Sequence, residues 1–134
     1  MEILYILANS NEYTVLNSED TSVRFILNDK VRMGTIYNYI HENFDKKPDV
    51  NEVAKNVHLS TSAFCRYFKK QTNITFTDFV NQYRISQAQR LLLQDHNISE
   101  VCYSVGFESL SYFTKLFKRI TGLAPGEFKK TYKK

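Results

Sequence analysis

A chain of 134 residues with 43% apolar and 24% charged side chains has material for small packed cores and reads as a soluble globular protein. Its net charge of +4 is unevenly spread: residues 1–30 hold two basic and five acidic side chains, and residues 31–134 hold sixteen basic and nine acidic ones. Cys65 and Cys102 lack the Cys/His spacing of zinc sites, so no metal or cofactor is indicated, and the apolar run Ile3 to Ala8 is too short to span a membrane. That run also follows Glu2 rather than a basic segment, which fails the pattern of a signal peptide and leaves the cytoplasm as the expected compartment.

In chain order, residues 1–30 read as a separate segment with a helical turn or two around Ile3, Leu4, Ile6 and Leu7. From Val31 the apolar residues Ile36, Tyr37, Tyr39, Ile40 and Phe44 recur at helical spacing until Lys46, Lys47 and Pro48, which predicts a packing helix. A short helix is expected from about Asn51 to Val57, then a turn through His58 and Leu59, then a helix from Ser60 as N-cap to about Thr72. Asn73 stands where a left-handed stop belongs. Thr75 followed by Asp78 resembles a capping box for a long helix over about 76–94, with Phe76, Phe79, Val80, Tyr83, Ala88, Leu91 and Leu92 on one face. Ser99 to Val105, a turn at Gly106 and Phe107, and a helix from Leu110 to Thr121 capped by Ser109 complete a second unit, over about 99–122. Pro125 opens a last short helix at its favoured first position.

The two units are copies. Val53, Ala54, Val57 and Leu59 recur 48 residues later as Val101, Cys102, Val105 and Phe107. After a one-residue insertion, Ser60, Phe64, Arg66, Phe68, Lys69, Lys70, Thr72 and Asn73 recur as Ser109, Phe113, Lys115, Phe117, Lys118, Arg119, Thr121 and Gly122. This spacing is what a helix-turn-helix needs, and it predicts an all-α fold of about seven helices in two helix-turn-helix subdomains joined by a long linker helix. Such a linker, about 27 Å long over residues 76–93, with a helix diameter added at each end, matches the spacing of adjacent major grooves, about 34–36 Å. One chain could then read an asymmetric duplex site as a monomer.

Burying Phe64, Tyr67 and Phe68 turns Ser62, Cys65, Arg66 and Lys69 outward, and burying Phe113, Leu116 and Phe117 turns out Ser111, Thr114, Lys115 and Lys118, with Tyr112 on the flank. Arg66 and Lys115 are the best placed to donate to guanine O6 and N7. Ser60, Lys69, Lys70, Ser109, Lys118 and Arg119 are expected to meet the phosphate backbone and set affinity. A basic row on one helix is ordinarily just a solvated face, but its recurrence at the same positions of a second copy favours function. Cys65 reads as a plain groove-facing thiol, Cys102 as a buried structural one, and no acid, base and nucleophile converge, so no catalysis is expected. The competing reading is a helical protein-protein interaction module, which predicts binding insensitive to salt.

The segment VGFESLSYFTKLFKRITGLAPGEFKK (Val105 to Lys130) resembles the signature of AraC/XylS-type transcription regulators, and NEVAKNVHLSTSAFCRYFKKQTN with RISQAQRLLL resembles the half before it. The resemblance covers about residues 33–131. It implies seven helices in two subdomains, a bacterial cytoplasmic protein, binding to double-stranded promoter DNA, and activation of transcription through contact with RNA polymerase. Carried over by motif, the base-contacting positions are Ser62, Cys65, Arg66, Ser111, Tyr112, Thr114 and Lys115. Small side chains at Ser62, Cys65 and Ser111 shift weight toward DNA shape. Asn73 stands where the family often has Gly, and Ala124 precedes Pro125 where Ser is common. Many members carry an N-terminal sensing and dimerising domain. Residues 1–30 look like the tail of such a domain with its linker, ahead of a DNA-binding domain at 31–134. The chain is then either the DNA-binding part of a longer, dimerising regulator, the favoured reading, or a natural short member.

Overall fold

The computed structural model describes residues 20–132, with side chains described from residue 27. The helical turns expected around Ile3 to Leu7 lie outside the described residues. Seven helices and no strand occur among the described residues: α1 (Asp20–Asn43), α2 (Val50–Asn56), α3 (Thr61–Thr72), α4 (Phe76–Leu93), α5 (Ile98–Ser104), α6 (Leu110–Thr121) and α7 (Pro125–Tyr132). The chain divides into two units between Thr35 and Ile36. In the first, the Thr35 hydroxyl donates to the Val31 carbonyl at 3.1 Å, and Arg32 pairs with Asp29 at 3.9 Å. The helix that the apolar period starts at Val31 already runs from Asp20 among the described residues, and no Pro interrupts it.

In the second unit the helix boundaries follow side-chain chemistry that lies within a few residues of each end. Ser60, Thr75 and Ser109 each accept the amide of the residue three further on, at 3.1 Å in all three cases, satisfying one of the N–H groups a helix start leaves open. The two short helices begin slightly earlier than their apolar residues suggest. Asp49 caps α2 by accepting from Glu52 N, and Asn97 caps α5 by accepting from the amides of Ser99 and Glu100. At the other end, Asn73 and Gly122 take the left-handed conformation, with φ of 70° and 89°, and return their amides to Lys69 O and Lys118 O. Pro125 opens α7, where Glu127 Oε1 accepts the Ala124 amide at 3.3 Å.

Packing repeats as the sequence does. Phe64, Phe68, Phe76 and Phe79 form one aromatic cluster with centroid separations of 5.3–5.8 Å, and Phe107, Phe113, Phe117 and Phe128 form the other at 5.3–5.7 Å. Around the second cluster close Ile85, Ala88 and Leu92 of α4 and Val101, Cys102 and Val105 of α5. Fully burying a ring, as at Phe64, Phe68, Phe113 and Phe117, stabilises the fold by about 1.5–3 kcal/mol. Both clusters hold their helix of the second position, α3 or α6, by its inner face, so the outer face is free to carry other chemistry.

Candidate nucleic-acid interface

The outer face of α3 presents Ser62, Cys65, Arg66, Lys69 and Lys70, all exposed, while Phe64 and Phe68 are fully buried and Tyr67 is half-buried. On α6, Ser111, Tyr112, Lys115, Lys118 and Arg119 are exposed over buried Phe113, Leu116 and Phe117. Thr114 sits at the edge of that stripe, half-buried, and its hydroxyl donates to the Leu110 carbonyl at 2.8 Å. Tyr112 is held on the flank: its ring lies 6.1 Å from that of Phe107, and its hydroxyl accepts from Asn81 Nδ2 at 3.4 Å.

Neither α3 nor α6 contains an acidic residue. Their six cations, Arg66, Lys69, Lys70, Lys115, Lys118 and Arg119, make no ion pair with another described residue. Four of them fall in the last turn, where a cation also complements the helix dipole, so helix stabilisation accounts for part of their placement. It does not account for Arg66 and Lys115, one turn earlier and at the same place in each copy. At the opposite end of each helix, the first-turn amides beside Ser60 and Ser109 give a partial positive charge that suits phosphate.

The turns ahead of these helices share two of their three backbone bonds: His58 N and Gly106 N donate to Lys55 O and Tyr103 O at 3.0 Å and 3.2 Å, and the next bond repeats as well. Leu59 N donates to Ala54 O at 3.0 Å and Phe107 N to Cys102 O at 3.1 Å. Thr72 and Thr121 repeat a hydroxyl bridge, lying 2.9 Å and 2.8 Å from the carbonyls of Phe68 and Phe117, and accepting the amides of Ile74 and Leu123. Positive φ recurs at the turn itself, 63° at His58 and 106° at Gly106. Cys102 is buried, and burial pushes its thiol pKa up, which suits an inert packing residue; Cys65 is exposed. Among the described residues there is no cluster of metal-ligating side chains, and no helix is long and apolar enough to cross a membrane.

One residue of consequence escapes the periodicity. Arg84 lies on the apolar face of α4, in line with Val80 and Ala88 at four-residue steps, and is only 7% exposed. Its Nε donates to Phe44 O at 2.6 Å and its Nη2 to Lys46 O at 2.9 Å, and its guanidinium stands 5.4 Å from the centre of the Phe107 ring. Burial lowers its pKa, opposed by nearby Asp45 and Glu108; a guanidinium nevertheless keeps its charge in a protein. A cation in register with an apolar stripe was the sequence signal for it.

Two capped helix-turn-helix units with outward basic stripes, in one chain, define a double helix-turn-helix DNA-binding domain. Comparison with known proteins agrees. A helix-turn-helix domain family matches residues 53–131. The chain is 42% identical to the uncharacterised HTH-type transcriptional regulator YdeC of Bacillus subtilis, over 74% of this chain and 34% of YdeC. It superposes on the DNA-binding domain of AdpA, solved in complex with a target DNA, with a TM-score of 0.68 at 25% identity, covering 75% of this chain and 91% of that one. A Chromobacterium violaceum transcriptional regulator with an AraC-type DNA-binding domain shares the fold, with a TM-score of 0.71 at 18% identity over 77% of this chain and 93% of that one. The chain belongs to the AraC/XylS-type helix-turn-helix family of transcription regulators. It spans about a third of the length of YdeC.

Proposed function

We propose that this chain binds promoter DNA sequence-specifically as a single molecule, with α3 and α6 entering adjacent major grooves. The observation that carries the reading is the pair of acid-free helices with six cations facing outward at repeated positions. Ser62, Cys65 and Arg66 read one element of the site, and Ser111, Tyr112, Thr114 and Lys115 the other. Ser60, Lys69, Lys70, Ser109, Lys118 and Arg119 engage the backbone. In this reading residues 31–134 are the DNA-binding domain and residues 1–30 a linker or the tail of another domain. The parent regulator acts in the bacterial cytoplasm as an activator that contacts RNA polymerase, its dimerisation supplied outside the DNA-binding domain.

Selection of bound sequences from a random duplex library, followed by salt titration of the winner, tests this. The expected result is an asymmetric motif with two elements about one helical turn apart, and log affinity falling against log salt with a slope on the order of −4 for the four backbone-facing cations Lys69, Lys70, Lys118 and Arg119. A palindrome would replace the single-molecule reading with a dimer. Binding without sequence enrichment and insensitive to salt would favour the protein-interaction module.

A further inference from the structure

A continuous path of contacts runs from the first helix-turn-helix unit to the second, and Arg84 is its only charged, buried member. On the first side, the Tyr39 hydroxyl donates to Glu52 Oε1 and accepts the Asp49 amide, both at 3.4 Å, tying α1 to the start of α2. The end of α1 is clamped to the middle of α4 by the Phe44 and Tyr83 rings, edge to face at 5.2 Å, and by His41 Nδ1 within 2.6 Å of the Tyr83 hydroxyl. Arg84 then holds the carbonyls of Phe44 and Lys46 just beyond α1, where a helix end leaves carbonyls open. Its other face meets the second turn. A Cβ added at Gly106 would lie 2.9 Å from Arg84 Cζ and Nε and 3.0 Å from Phe44 O. Phe107 follows, under the guanidinium, with its ring 5.3 Å from Phe113 of α6.

We propose that Arg84 is a positioning residue that fixes the second recognition helix relative to the first unit, and so sets the spacing between the two DNA elements one molecule accepts. This rests on the two-groove reading. A planar guanidinium suits the task, because it donates in two fixed directions while presenting a flat face to a ring; a lysine ammonium does neither. The Gly106 backbone closes against that plane, which leaves the second turn a narrow range of positions.

The test uses the full chain and duplexes carrying its two selected elements at the preferred spacing and at spacings changed by one, two or three base pairs. Wild type should lose roughly tenfold in affinity for the altered spacings, the cost of about one mismatched base pair or more. Arg84→Met, which keeps the unbranched stem and drops every donor, should flatten that discrimination several-fold while binding a duplex with one element as wild type does. Arg84→Lys, which keeps the charge, should flatten it as well. Weaker binding at every spacing with the wild-type ratios intact would overturn the proposal, since a merely structural arginine behaves that way. A measurement without DNA covers the case in which Arg84→Met folds poorly: spin labels on exposed Cys65 and on Ile120→Cys should give a narrow distance distribution in wild type and a broader one in Arg84→Lys. Equal widths would also overturn it. If wild type selects no two-element site, the two-groove reading itself falls, and that outcome is distinct from a two-element site whose spacing Arg84 does not control.

Discussion

The first helix-turn-helix unit crosses its turn on His58 at φ 63°, the second on Gly106 at φ 106°, and both turn residues and the residues after them return their amides to matching carbonyls. Left-handed backbone alone does not require glycine, as His58 shows. What separates the two turns is proximity: the Gly106 Cα faces the Arg84 guanidinium and the Phe44 carbonyl at a distance no side chain would fit. The repeat therefore specifies how each unit folds, and the exception to the repeat specifies how the second unit is joined to the rest.

If the cores are truly equivalent, truncating their matched central rings should cost the same. Phe68 and Phe117 are both fully buried and both touch their neighbours at 5.3 Å across the recognition and following helices. Phe68→Ala and Phe117→Ala should each lose about 3–5 kcal/mol of stability, measured by urea unfolding. A large loss in one and a small loss in the other would break the equivalence.

Gly106→Ala and Gly122→Ala sharpen the difference. Both place a Cβ on left-handed backbone, which costs about 1–2 kcal/mol. Space around Gly122 is open, so its cost should stop there, and Gly122→Asn should recover most of it by copying Asn73. Gly106→Ala adds an overpacking cost of about 1–3 kcal/mol and should be the worse of the two by thermal unfolding. Equal costs would mean that Arg84 moves aside freely, and would count against its fixing role.

On the outer faces the comparison concerns Arg66 and Lys115, which occupy the same position of α3 and α6. Arg66→Ala should relax base preference in one element of the selected site by about 1–3 kcal/mol, as expected for a bidentate contact. Lys115→Ala should act on the other element and more weakly, because an ammonium is a point charge rather than a fork. Binding selection with each variant reads this directly. If both variants altered the same base pairs, the two-groove arrangement would be wrong.

Much of this architecture was legible because its causes are local. Ser60, Thr75 and Ser109 as caps, Asn73 and Gly122 as left-handed stops, Pro125 at a helix start and the buried Cys102 each follow from chemistry within a few residues. The outward stripes followed from the buried phenylalanines, although the half-burial of Thr114 did not, since that depends on how α6 rolls on its core. Asp49 and Asn97 as caps were missed because polar caps precede the first apolar residue that a periodicity detects. Arg84 was missed for a deeper reason. Its partners Phe44 and Lys46 lie 40 and 38 residues away, so only the assembled fold shows why a cation belongs in an apolar stripe.

The smallest effect is expected at His58, and its sign is informative. His58→Gly removes the Cβ penalty of left-handed backbone, about 1–2 kcal/mol, but adds unfolded-chain entropy worth roughly 0.5–1 kcal/mol. The balance runs from no change to a gain of about 1.5 kcal/mol in urea unfolding. Such a gain would mean that the first turn needs only the conformation glycine supplies, whereas the second also needs the space glycine leaves. A loss would show that the His58 side chain itself supports the first turn, and the two turns would then differ in what holds each of them as well as in what each lies against.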